Sequence, residues 1–437
     1  MFKRLRGWFQ ADEQPATTPV VPESTTVPTA ARTGGQGLLR RRMVLDARRR
    51  TVAYAISLRP LHHALDSINQ AMRDDEILLH ELAGQQEGAG PLKRPIWLEL
   101  DWHSLGPSLL AQLPAGHPYT IVAHGIPALP GEQLLAQLAP LLGVVPVGLV
   151  VDKTSLNYPG LLRRMKLLAL PVDTPDIAQF SRILARCRTL APEADIWCVG
   201  LTSHEASEAC LSLGANYVSG QLFTEELHQP IQLPLHFLRL NEALQLARRA
   251  APFDDIADAI RVDPMLSVRL LRYVNSAGMG LSRQVTQLDQ ALILLGHTRI
   301  YRWLSLLLFA SATPRPLDDT VLEAALTRGR LMELAGAVRL DAKDGEALFL
   351  IGLFSLLHFL LGAPREQLLQ ELHLPEAVHD TLAGQPTVYA PYLLLGEASE
   401  LGQDPDPALL TQCGLNEYSF NRMQFEALSW ALITLAS

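Results

Sequence analysis

The sequence predicts two folded parts in tandem, an α/β barrel followed by an all-α domain. Between residues 38 and 235 short β-like runs alternate with helical stretches, the order that builds a mainly parallel sheet. The number of these units favours closure into a barrel over an open sheet. Beyond Pro234 the strand patterns stop and apolar residues recur at helical spacing.

The predicted strands are Thr51–Leu58, Ile96–Leu100, Thr120–Ala123, Val144–Val151, Leu167–Leu170, Ile196–Val199 and Asn216–Val218, with helix patterns such as Gly131–Leu142 and Asp176–Leu190 between them. Two arginine clusters, Arg40–Arg42 and Arg48–Arg50, flank a turn around Asp46 and are read as the wet face of a hairpin. In the helical part, Leu266, Leu270, Leu271 and Val274 form one apolar stripe, and Leu288, Ala291, Leu292 and Leu295 another. Asp263-Pro264 supplies a cap followed by proline in the first turn, Thr286 is a second cap candidate, and Gly296 follows a helix end. Pro314-Arg315-Pro316 interrupts the pattern once before helices resume.

The expected division is a disordered tail over 1–37, the barrel over 38–235 and the all-α domain over 236–437. The tail is rich in Pro, Thr, Ala and Gly and cannot bury enough apolar area to offset the entropy of ordering. Its tip carries Lys3, Arg4 and Arg6 beside Phe2, Trp8 and Phe9; one short basic segment anchors weakly to a membrane, so a solvated start is the reading.

A net charge of −8 over 437 residues argues against overall electrostatic attraction to nucleic acid. Cys187, Cys198, Cys210 and Cys413 form no CxxC pair, which reads as buried free thiols in a reducing compartment. No compact metal-ligand pattern accompanies them. The start has no continuous apolar core of a secretory signal. The most apolar run, Ala347–Leu361, is too short to cross a bilayer of about 30 Å and reads as a buried helix. A cytoplasmic protein without a transmembrane segment is expected.

The stretch DPMLSVRLLRYVNSAGMGLSRQVTQLDQALILLG (263–296), continued by RWLSLLLFA (302–310), resembles the core of the HDOD domain family. Asn275-Ser276-Ala277 would end its first helix, and Gly278 and Gly280 permit a tight exit. The resemblance implies the fold of HD-type phosphohydrolases without their metal-holding His and Asp residues. Where relatives carry an adjacent His-Asp dyad, this chain has Gly352-Leu353-Phe354-Ser355-Leu356, so Ser355 and Leu356 stand at the dyad. Neither suits a hard divalent ion. The actual dipeptide His379-Asp380 lies in a polar helical context and reads as a surface pair, and His358 as a hydrogen-bonded core histidine.

The opening RRMVLDARRRTVAYAISLRP (41–60) resembles the start of EAL domains, barrels that hydrolyse cyclic di-GMP with metal ions held by carboxylates at strand ends. The expected ligand positions are mostly replaced. Ala55 follows Tyr54 where the signature Glu belongs, and Glu99 replaces an Asn within WLELD. Ala123 or His124 stands where a Glu is expected, and Val151-Asp152 keeps at most one carboxylate of an Asp pair. The run LLALPV (167–172) lacks the expected lysine, Leu201-Thr202-Ser203 replaces a Val-Glu-Thr run, and Ser219-Gly220 replaces Gln-Gly. Glu99 and Asp101 share a strand face and are read as satisfying nearby backbone or basic groups. Arg59 alone survives where family members use an Arg near the nucleotide phosphates, a residue type suited to bidentate phosphate recognition.

These readings imply a degenerate TIM-like EAL barrel fused to an HDOD domain: a non-enzymatic signalling adaptor with no catalytic residues, no metal and no cofactor. The HDOD part would bind regulatory protein partners, and no nucleic acid is expected. The alternative is a cyclic di-GMP receptor that binds through Arg59 without hydrolysis.

Overall fold

In the computed structural model, the described residues are 37–58, 68–88, 94–113, 118–172, 177–221, 223, 230–275, 284–310, 318–403 and 405–436. They divide into two compact units. One comprises residues 35–225 with 394–429; the other comprises 226–393 with 430–437.

The first unit is a closed barrel of eight strands in sequential order. The strands are β1 (Arg40–Asp46), β2 (Thr51–Ser57), β3 (Ile96–Asp101), β4 (Tyr119–His124), β5 (Val147–Val150), β6 (Leu167–Pro171), β7 (Asp195–Leu201) and β8 (Tyr217–Gly220). Strands β2 to β8 pair in parallel, while β1 runs antiparallel to both β2 and β8 and closes the ring. The β1–β2 turn is held by Asp46, whose carboxylate accepts from the backbone of Arg48 and Arg50 and from the Arg50 guanidinium. Arg49 adopts a left-handed φ of 59° in this turn.

The hairpin forms as its arginine-flanked turn suggests, but one arginine cluster is not its wet face. Arg41 is buried with its guanidinium over the Tyr54 ring, and Arg42 pairs with the buried Glu99. The reason lies in the alternation along β1: Arg42 shares a strand face with Val44, and Val44 belongs to the barrel's apolar cluster. Arg48 and Arg50, in the turn itself, are exposed.

That cluster joins Ala53, Ala55, Trp97, Val122, Val150, Leu167, Ala169, Trp197 and Val199 with Val44. Trp97 meets Trp197 and Tyr217 edge to face, at ring centroid distances of 5.0 and 5.2 Å. Such bulky rings fill the barrel because the alanines opposite leave room for them. The Trp197 indole N–H donates to Ser219 Oγ at 2.9 Å, and that hydroxyl donates to the Met43 carbonyl at 2.6 Å, so the buried polar tip is satisfied.

Residues 394–429 pack with the barrel although they lie in the helical half of the sequence. Asn421 receives the Leu39 amide at 2.8 Å and donates to the Gly37 carbonyl, while Gln424 donates to the Leu39 carbonyl. Arg40 donates to the Gly402 carbonyl, and a Cβ on Gly402 would stand 2.9 Å from the Arg42 side chain. The start of β1 is therefore pinned by chain from the far end of the sequence.

The second unit is helical. Helix Pro264–Val274 begins at the predicted proline, and Asn275 closes it by bonding the Leu271 carbonyl and both backbone groups of Val285. Ser276, Ala277, Gly278 and Gly280 lie outside the described residues. The next helix starts at Leu288, one residue later than a cap at Thr286 would place it. Gly296, at φ 71° and ψ 165°, breaks the helical path as expected. Helices Asp318–Gly336 and Ala342–Phe354 approach so closely that a Cβ on Gly352 would lie 2.6 Å from the Gly329 backbone. Residues Ala342–Leu361 have the length and apolarity of a membrane span, yet most of that stretch is buried. The path breaks at Ser355-Leu356, and it serves as the core of this unit.

Candidate functional site: the strand ends of the barrel

In a barrel of this kind, chemistry is placed where the parallel strands end, because loops there can carry groups from several strands to one point. The described residues at that end give a consistent picture. Ala55 is fully buried within the apolar cluster, flanked in the ladder by Arg42 on β1 and Trp97 on β3. No oxygen ligand stands at its position.

Glu99, two residues beyond Trp97 on β3, is 1% exposed and accepts from the Arg42 guanidinium through both carboxylate oxygens. A buried carboxylate needs such compensation, since an unpaired charge in a protein interior costs several kcal/mol. The pairing engages both oxygens of this carboxylate.

Asp101, at the end of β3, is fully buried. Its Oδ1 accepts from the His103 backbone at 2.9 Å and lies 2.8 Å from His103 Nδ1, capping a short 3-10 turn. Its Oδ2 lies 3.8 Å from His124 Nδ1 on β4. Behind it, Asp75 in the helix Ile68–Gly88 accepts from the Asp101 amide at 2.9 Å and from the Ser104 hydroxyl at 2.6 Å. Asp152, beyond β5, is exposed and holds a local turn by accepting from the Ser155 amide at 2.6 Å. Ala123 and Leu201 are buried and apolar. Arg59 lies outside the described residues.

The structure thus brings Arg42, Glu99, Asp101 and His124 to one end of the barrel and leaves Asp152 to its own turn. Arg42 and Asp75 are the participants that the sequence reading missed. Arg42 was legible in principle from its alternation with Val44; Asp75 lies in a segment, Ile68–Gly88, with no motif that marks it.

Metal ions of the kind used by EAL hydrolases require clustered, available oxygens. Among the described residues no group of three or more His, Cys, Asp or Glu is placed to hold a metal ion. Among the described residues the set does not fit that group: Ala55 offers nothing, Glu99 is paired with a cation, and Asp101 has Oδ1 on His103 and a single buried oxygen, Oδ2, without a hydrogen-bond partner, which alone makes no metal cluster.

In the helical unit, Ser355 is 2% exposed; its hydroxyl donates to the Gly352 carbonyl at 2.7 Å and accepts from Arg328 at 2.8 Å. Leu356 is buried. His358 is buried too, and burial, aided by the Arg365 and Arg328 charges, pushes it down to about 3, so it is neutral at physiological pH. His379 and Asp380 contact each other at 3.1 Å on an accessible surface. All four cysteines are buried and free, and burial pushes the Cys187 thiol up to about 11, where it is inert.

Comparison with known proteins agrees with this division. The HDOD domain family model matches residues 231–357. The Bacillus subtilis protein YuxH is 28% identical over 230 residues, covering 50% of this chain and 54% of the relative. The Vibrio cholerae cyclic di-GMP phosphodiesterase CdgJ is 27% identical over 180 residues, 40% of each. The chain therefore spans about half the length of the curated relatives it matches. Among solved structures, the PaMucR phosphodiesterase in complex with c-di-GMP aligns with a TM-score of 0.32 at 18% identity, covering 44% of this chain and 96% of that one. Bacillus subtilis YkuI, an EAL-domain protein in complex with c-di-GMP and calcium, aligns at 0.33 and 13% identity, covering 54% and 73%.

The fold is thereby defined: a closed barrel followed by a helical region. The HDOD domain model falls within that helical region, the order of the EAL–HDOD arrangement that the sequence resembles.

Proposed function

We propose that this protein is a signalling adaptor whose EAL-like barrel no longer hydrolyses cyclic di-GMP and whose HDOD part recruits regulatory protein partners from the cytoplasm. The observation that carries the reading is the state of Glu99. The carboxylate nearest the lost signature position is buried and neutralised by Arg42, next to Ala55 in an apolar layer. Retained packing with lost ligands is what a scaffold requires. In functional terms the tail is residues 1–37, the barrel 38–235 and the HDOD part 236–437, with 394–429 folding back to support the barrel.

The test is turnover. The full chain, incubated with cyclic di-GMP and Mg²⁺ or Mn²⁺, should yield no linear dinucleotide above a no-protein blank. Hydrolysis at an enzyme-like rate would overturn the proposal.

A second reading, a cyclic di-GMP receptor without hydrolysis, is supported by the relative named as a cyclic di-GMP phosphodiesterase. It assigns phosphate recognition to Arg59. Calorimetric titration with the nucleotide separates the two: saturable binding weakened by Arg59→Ala supports the receptor, and absence of heat at high protein concentration removes it.

A further inference from the structure

The barrel's other end is built differently. A cavity of about 760 Å³ opens there, lined by residues that precede or begin the six successive strands β3 to β8, among them Tyr119, Lys166, Asp195 and Tyr217. That volume lies within the range of small-molecule sites. The starts of barrel strands ordinarily serve stability, with bulky branched side chains filling the interior layer. Here the small Ala53 lines the space beside Val52, Val145 and Leu167, and Trp97 and Tyr217 form an aromatic wall, ring edge to ring face.

The rim carries two opposite charges side by side. Lys166 immediately precedes β6 and Asp195 begins the neighbouring β7, and the Asp195 amide donates to the Lys166 carbonyl at 3.0 Å. The Asp195 carboxylate accepts a long bond from the Tyr217 hydroxyl at 3.4 Å, and the Lys166 side chain is exposed. This contrasts with the strand ends, where Glu99, Asp101 and Asp152 are each engaged in short bonds.

We propose that this mouth of the barrel is a binding site for a small aromatic molecule carrying both an ammonium and a carboxylate group, a free aromatic amino acid being the simplest. The ring enters the apolar space against Trp97 and Tyr217, where ring–ring contact adds to burial. The ammonium faces Asp195 and the Tyr217 ring, and the carboxylate faces Lys166. The site is independent of the adaptor reading and of the nucleotide.

Isothermal titration of the full chain with L-tryptophan, tryptamine and indole-3-propionate tests it. Saturable binding of one tryptophan per chain is expected, with each single-charge analogue about tenfold weaker, one charge contact being worth roughly 1.4 kcal/mol. Asp195→Asn should weaken tryptophan and tryptamine but not indole-3-propionate, and Lys166→Met should weaken tryptophan and indole-3-propionate but not tryptamine. Ala53→Leu should reduce all three by narrowing the cavity. Ala53 lies in the core, so the two rim variants, which alter no packed residue, keep the proposal testable if that variant does not fold. No saturable heat with any probe overturns the proposal, as does tryptophan binding that neither rim variant changes.

Discussion

The barrel and the helical unit each place an arginine beside a position where EAL hydrolases or HD-type phosphohydrolases would carry a metal ligand, but with different counterparts. In the barrel, Arg42 meets a carboxylate, Glu99. In the helical unit, Arg328, 6% exposed, meets the neutral hydroxyl of Ser355. The first is an ion pair whose members cannot be removed singly without stranding a charge. The second is one hydrogen bond within a tight helix packing that glycines, not charges, make close. The two units hold these arginines by different physical means, one by charge compensation and one within close helix packing.

Removing Arg42 should be the most damaging change. Arg42→Ala leaves Glu99 buried without its cation and should cost about 3–5 kcal/mol of barrel stability in urea denaturation. The double variant Arg42→Ala/Glu99→Ala should recover much of the loss. A single variant as stable as the parent would break the comparison at its first term.

Ser355→Ala should cost less, about 1.5–3 kcal/mol, because only one bond to a charged group is lost. Gly352→Ala drives a methyl group toward the Gly329 backbone and should cost about 1–3 kcal/mol by overpacking, read as a lower melting temperature. If Ser355→Ala proved more costly than Arg42→Ala, charge would matter more in the helical unit than proposed.

At neutral pH the smallest effect is that of His358, which shows as a pH slope on acidification. His358 is held neutral down to about 3 in the folded protein, whereas an unfolded histidine titrates near 6.5. The unfolded chain therefore binds the extra proton between those values. His358 stabilises fully above about 6.5, and its contribution is lost as pH falls toward 3, with a slope of up to about 1.4 kcal/mol per pH unit. His358→Gln should flatten that part of the stability profile; an unchanged slope would show that other groups cause it.

Much of this was legible in the sequence. The alternation before Pro234 and the helical stripes after it specify the barrel and the helical part, and Pro264 and Gly296 mark a helix start and a break where the structure has them. The antiparallel β1 was harder to read. Its arginines suggest solvent, because residue type alone does not reveal that alternate positions face a closed barrel holding a buried glutamate. The return of residues 394–429 to the barrel rests on Asn421 and Gln424 meeting Gly37 and Leu39, contacts nearly the whole chain apart that no local pattern encodes. At the strand ends, the sequence shows Ala55 with no oxygen ligand. The pairing of Glu99 with Arg42 was not legible, since pairing partners are set by register.

The central claim is that the barrel's remaining carboxylates are not available to a catalytic metal. Manganese binding to the full chain, followed by electron paramagnetic resonance of free Mn²⁺, tests it most directly. The account predicts no stoichiometric uptake with or without cyclic di-GMP, and no difference between the parent chain and Glu99→Gln. Uptake of one or more ions per chain that Glu99→Gln abolishes would contradict it.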